Sequence, residues 1–139
     1  MILTKEKSLC KEKQKEIVSK EHGREHHALN KKHAYSVRQY RLDGGLFRQE
    51  KCCDYLVLND SKKNAYFLEL KGRNVSDAVE QLEAGRKKVI EELSGYELYY
   101  RIIGSKMRTH ELDTPKMRKL KEKYKGKLVY KSVKYEEEL

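Results

Sequence analysis

Two short apolar runs separated by a turn constrain this chain more than any other feature. Cys53-Asp54-Tyr55-Leu56-Val57-Leu58 ends at Asn59-Asp60-Ser61, and Ala65-Tyr66-Phe67-Leu68-Glu69-Leu70-Lys71 ends at Gly72. Both runs are apolar on both faces, as central strands covered on each side are. The turn residues between them predict an antiparallel hairpin. Charge on such strands is costly unless it is paired or bound to a metal. Yet Asp54 opens one run, and Glu69 and Lys71 close the other. A turn centred between Lys62 and Lys63 sets Asp54 against Lys71 and Leu56 against Glu69. Alternation then puts Asp54, Glu69 and Lys71 on one face at the open end of the hairpin. Glu69 and Lys71 share a face in any register, whereas a one-residue slip turns Asp54 away.

The flanking segments extend this hairpin into a sheet. Tyr35, Val37 and Gln39 alternate with Ser36, Arg38 and Tyr40, which predicts a half-exposed strand before the Asp43-Gly44-Gly45 turn. Over 75–93, Val75, Ala78, Val79, Leu82, Val89, Ile90 and Leu93 form one helical stripe, with Asn74 or Ser76 as cap and Gly95 as exit. Leu98 to Ile103 reads as a strand, so the helix is a right-handed crossover between parallel strands. Thr114-Pro115 opens a second helix carrying Met117, Leu120 and Tyr124, closed by Gly126. Leu128 to Tyr135 reads as one last, edge-like strand with lysines along it. Residues 5–32 are polar with sparse apolar positions and read as a helix, or two split at Gly23. The expectation is a single α/β domain. An N-terminal helical segment (1–33) precedes a core (34–104) and a basic C-terminal helix and strand (105–139), in the order αβββαβ around a central mixed sheet flanked by helices.

With 139 residues and 39% charged residues, the core must be small, which is compatible with a homodimer that hides further apolar surface. No stretch approaches the ~18 apolar residues of a membrane span, and a lysine-rich run directly after Met1-Ile2-Leu3 is unlike a secretory leader. Cys10, Cys52 and Cys53 fit neither a disulfide framework nor a zinc site. They fit a reducing, cytoplasmic setting. The net charge is +10. It is concentrated at the ends: 1–33 carry nine basic and five acidic residues, and 105–139 carry eleven and six. Such a surface attracts polyanions, nucleic acid above all.

Two carboxylates and a lysine at one sheet end suit a particular chemistry. Carboxylate oxygens are hard ligands, and an incomplete set suits Mg²⁺, which keeps several waters and binds phosphate oxygens. The metal polarises a phosphodiester and acidifies a bound water, and a nearby ammonium group orients that water or offsets charge.

At these residues the chain resembles the PD-(D/E)xK phosphodiesterase superfamily, the restriction-endonuclease-like fold. Its signature is an acid at the start of one strand, then acid-x-lysine on the next, then a helix. Here Asp54 is followed after fourteen residues by Glu69-Leu70-Lys71-Gly72 and then by the helix from Val75. The resemblance spans roughly 34–104, and Cys53 stands where the motif has proline. It implies a Mg²⁺-dependent endonuclease, with Mn²⁺ as substitute, acting on nucleic acid, DNA before RNA. Asp54, Glu69 and the Leu70 carbonyl would be metal ligands and Lys71 the catalytic lysine. A further acid from the first helix is implied, for which Glu25 and Glu21 are candidates and Glu50 another. RecB-type members add a glutamine on the following helix, near Gln81, although Gly85 stands at their downstream tyrosine. The compact size is similar to that of Holliday-junction-resolvase-like nucleases.

Other features are weaker. His22, His26, His27 and His33 cluster in sequence, with His22 and His26 at helical spacing, but nothing completes a known metal pattern. Lys116, Arg118, Lys119 and Lys121 begin a basic run that could grip a nucleic-acid backbone or simply be a wet helix face. The alternatives to a nuclease are a non-catalytic nucleic-acid-binding module of the same fold, an assembly component with an acidic partner, and two unrelated salt-bridged strand ends.

Overall fold

A computed structural model describes residues 1–70, 74–105 and 114–139. Among these residues, eight strands and two α-helices follow in order. They are β1 (Glu16–Glu21), β2 (Arg24–Leu29), β3 (Val37–Arg41), β4 (Tyr55–Asn59), β5 (Asn64–Glu69), α1 (Val75–Val89), β6 (Glu97–Gly104), α2 (Pro115–Lys123), β7 (Leu128–Ser132) and β8 (Lys134–Glu138). The protein is α/β, as the sequence predicts. No helix among the described residues is long and apolar enough to cross a membrane.

The central sheet has the order β3-β4-β5-β6-β7. Its first two pairings are antiparallel and its last two parallel. The parallel pairs follow from the two helices, which return the chain to the start of the next strand. Asn74 caps α1 by accepting the Asp77 N–H at 2.8 Å, and Thr114 caps α2 by accepting the Met117 N–H at 3.1 Å. On α1, Ala78, Val79, Leu82 and Val89 are buried in one cluster with Leu56, Leu58, Phe67 and Ile102 of the sheet. Leu120 and Tyr124 at the end of α2 pack on the same cluster.

The opposite face of this sheet is covered by a second sheet, and here the sequence reading is corrected. Residues 16–29 form a β-hairpin, not a helix. His22 (φ 48°) and Gly23 (φ 77°) are consecutive left-handed residues, the backbone a two-residue hairpin turn demands. The inward positions carry few apolar side chains: Ile17 and Ala28 are buried there, but so are Ser19 and His26, while His27 lies on the other face with Val18. Hydrophobic periodicity is therefore faint: Ser19 bonds across the layers to Gln39, and His26 bonds to Glu137, which pairs with Arg101 of the central sheet.

β8 is the second correction. The expected single strand over Leu128–Tyr135 breaks at Val133, which has φ 68°. β7 stays in the central sheet, while β8 crosses to pair in parallel with β2. Val133 ties the layers, since its N–H donates to Gly104 and its carbonyl accepts from Glu25, both at 2.9 Å. Val57, Tyr66, Leu68, Leu70 and Ile103 of the central sheet share the second core cluster with Ile17, Ala28 and Leu139. The result is three layers: helices, five strands, three strands.

Candidate metal centre

The β4–β5 hairpin forms, with a register two residues from the expected one. Leu56 pairs with Phe67 rather than Glu69, and Asn59 with Asn64. The turn is closed by the Asn59 side chain, which accepts the Lys62 N–H at 3.1 Å, and by Lys63 at φ 61°. A two-residue shift preserves the face of every side chain. Glu69 therefore stays on the side of Phe67, toward α1, and Asp54 lies two residues before Leu56 on that side. Asp54 consequently sits beside Leu68 and Glu69 rather than across from Lys71. Its N–H donates to the Leu68 carbonyl at 3.0 Å, and its Oδ2 accepts the Leu70 N–H at 2.8 Å.

Both carboxylates are withdrawn from solvent, Asp54 at 0% and Glu69 at 3% exposure. The Cys53 thiol reports on their nearness. Burial pushes it well above its ordinary value, the neighbouring Cys52 thiol adds to this, and the charges of Glu69 and Asp54 push the same way. Lys71 lies outside the described residues. Leu70 is fully buried, its side chain on the face opposite Glu69.

The remaining site candidates have other occupations. Gln81, on α1, accepts the Cys52 N–H through Oε1 at 3.0 Å, so it holds the chain just before Asp54. Glu50 is exposed and pairs with Lys88 at 3.3 Å. Glu25 stands on β2 in the other sheet, where His27 Nε2 bonds to it at 2.9 Å and holds its carboxyl below the ordinary range. Glu21 is the nearer relation of the site. It ends β1 and is bonded by Arg41, the last residue of β3. Burial pulls the Arg41 guanidinium down, but Tyr55, Glu21 and Asp54 together raise it. Arg41 was not singled out from the sequence; its only signal is its position just before the Asp43-Gly44-Gly45 turn.

The four histidines do not converge. His22 pairs with Glu21 at 3.0 Å, His26 with Glu137 at 2.7 Å, and His33 Nδ1 bonds to the Lys13 carbonyl at 2.9 Å. His27 sits between Glu25 and Glu16. Among the described residues, no group of three or more His, Cys, Asp or Glu side chains is arranged to hold a metal ion. The acidic rim thus offers two carboxylates, a donor set that suits a hard, water-retaining cation completed by substrate oxygens. Lys116, Arg118, Lys119 and Lys121 are all exposed on α2. No protein-family model, curated protein or solved structure matches the chain.

Proposed function

We propose that the chain is a divalent-metal-dependent nuclease of the restriction-endonuclease-like type, acting on DNA before RNA. The observation that carries this reading is the pair of buried carboxylates, Asp54 and Glu69, on one face at one end of the central hairpin. It is supported by the order of elements after the hairpin, a helix crossing to a parallel strand. Asp54 and Glu69 would hold Mg²⁺ or Mn²⁺ with the Leu70 carbonyl. When bound, that ion supplies Lewis-acid polarisation of the phosphodiester and an acidified water.

The chain's own residues do the rest. The Leu70 N–H holds the Asp54 carboxylate in place, which lowers the cost of arranging the site on binding. The α1 side of the sheet keeps both acids dry, which strengthens their attraction for a cation. Lys71, two residues after Glu69, is assigned by its place in the sequence to stabilise the charge that develops on the phosphate. The exposed cations of α2 would take the nucleic-acid backbone.

Calorimetry with Mn²⁺ and cleavage assays on linear, single-stranded and branched DNA and on RNA test this reading. Mn²⁺ binding with cleavage is expected. Salt-sensitive DNA binding with neither Mn²⁺ uptake nor cleavage would replace it by the second reading, a non-catalytic binding module, which the basic face of α2 favours equally.

A further inference from the structure

Cys52 and Cys53 stand directly before Asp54, and both are buried free thiols. Neighbouring residues of a regular strand point to opposite faces. These two do not. A β-carbon built on Gly85 of α1 would lie 2.5 Å from Cys53 Sγ and 3.4 Å from Cys52 Sγ. Both sulfurs therefore lie against the space a helix glycine leaves, on the same side of the backbone. The backbone around them is tied at several points. Gln81 holds the Cys52 N–H at 3.0 Å, the Cys53 carbonyl accepts from Asp43 at 3.1 Å, and the Asp54 carbonyl accepts from Leu42 at 2.8 Å.

We propose that this pair is a redox modification site that closes a reversible vicinal disulfide on exposure to hydrogen peroxide, and that closure withdraws Asp54 from Glu69. The second half rests on the metal-site reading above; the first does not. One sulfur attacks a peroxide oxygen. The O–O bond breaks, the sulfur is oxidised to the sulfenic acid, and the departing hydroxide takes the thiol proton and leaves as water. The other sulfur then attacks the sulfenic sulfur. The S–S bond forms, the S–O bond breaks, and a second water leaves with the remaining thiol proton. In sum two thiols are oxidised and one peroxide is reduced to two waters.

Adjacent α-carbons are held about 3.8 Å apart by the peptide, closer than the ~4.4–6.8 Å that disulfides prefer. Such a ring is strained and opens readily to a dithiol, which makes the modification reversible. Closing it changes the torsions on either side of the Cys52–Cys53 peptide. The tied Cys53 carbonyl, and the Asp54 that follows, must then move.

The test uses the full chain, treated with hydrogen peroxide in native buffer. It is then unfolded in denaturant containing N-ethylmaleimide, so that buried thiols are counted, and mapped by mass spectrometry. The expected result is a 52–53 peptide that has lost the mass of two hydrogens and resists alkylation, with Cys10 still alkylated and both thiols restored by dithiothreitol. Cys52→Ser and Cys53→Ser should each abolish the loss, while Cys10→Ser leaves it intact. Alkylation of both cysteines after peroxide, or addition of oxygen without loss of hydrogen, overturns the disulfide. Mn²⁺ calorimetry on the reduced and oxidised forms tests the second half, with about tenfold or greater weakening expected on oxidation. Equal affinities overturn the withdrawal of Asp54. No Mn²⁺ binding to the reduced chain overturns the metal site and this second half with it, while the disulfide is judged by mass alone.

Discussion

Arg101 and Glu137 form a two-pronged ion pair between the layers: Nε donates to Oε2 at 2.8 Å and Nη2 donates to Oε1 at 2.9 Å. Their side chains are 8% and 11% exposed, and the guanidinium lies 5.6 Å from the ring centres of both Tyr66 and Tyr99. His26 Nε2 adds a third bond to the same carboxylate at 2.7 Å. Breaking a buried pair leaves a charge without its counter-charge, which costs about 3–5 kcal/mol. Arg101→Ala is expected to lose that much stability in urea unfolding. The double replacement Arg101→Met with Glu137→Leu should lose less than either single change, because no lone charge remains.

The same carboxylate makes stability depend on pH. Burial raises Glu137, but the hydrogen bonds from His26 and Arg101 outweigh it and hold the group below its ordinary 4.5. A depressed folded value means that the unfolded chain binds the proton first as pH falls. The stabilisation is therefore complete above about pH 4.5 and is lost as pH drops through the lower folded value. Thermal unfolding between pH 6 and pH 3 should show this fall, and Glu137→Gln should flatten part of it. An unchanged slope in the variant would remove Glu137 from the account.

How much of this was legible differs by layer. The β4–β5 hairpin, α1, β6 and α2 were written in continuous apolar runs, a helical stripe and capping residues. Asn74 and Thr114 cap as their positions suggest. The three-stranded sheet was not legible, because its inner face is built from Ser19 and His26 as much as from Ile17 and Ala28. Gln39 and Glu137 meet these buried polar residues, and partners distant in sequence leave no periodic trace. At the site, Asp54 and Glu69 share a face because the register differs from the expected one by two residues, an even slip that keeps every side chain on its side. The exact register was not legible, since it depends on how Lys63 turns into a left-handed conformation.

Substitutions at Asp54 separate its scaffold role from the proposed chemistry. Its Oδ2 is the acceptor for the Leu70 N–H. Asp54→Asn keeps an acceptor of the same shape, whereas Asp54→Ala leaves that buried N–H without it, at a cost of about 1–3 kcal/mol. The Ala variant should therefore unfold at lower denaturant than the Asn variant. Both should lose Mn²⁺ binding and cleavage by more than the ~10–100-fold typical of outer-shell changes. Retained binding in Asp54→Asn would remove the carboxylate from the ligand set.

The exposed cations of α2 carry a salt-dependent prediction. If Lys116, Arg118, Lys119 and Lys121 meet phosphates, affinity should fall steeply with salt, with a log–log slope of about 0.9 per contact on duplex DNA. Replacing all four by Gln should weaken binding across sequences alike and flatten the slope by about 3–4, as measured by fluorescence anisotropy. An unaltered slope would make this face a solvated surface.

Gly85 offers the sharpest test of packing around the acidic rim. In a helix, Gly→Ala ordinarily stabilises by about 0.5–1 kcal/mol. Here the added carbon would fall 2.5 Å from Cys53 Sγ and 3.5 Å from the Cys53 nitrogen. The sulfur belongs to a fully buried residue whose neighbour Asp54 is hydrogen-bonded to Leu68 of β5 and to Leu42, just after β3, so it has little room to yield. Overpacking of this kind costs about 1–3 kcal/mol, which exceeds the helical gain. Gly85→Ala should therefore destabilise the chain in urea unfolding. Cys53→Ala alone should also destabilise it, by leaving a void. Combined, the two should be more stable than the sum of their separate costs, because the new methyl fills the space the sulfur leaves. Strict additivity in this double-mutant cycle would mean that Gly85 and Cys53 do not share the contact.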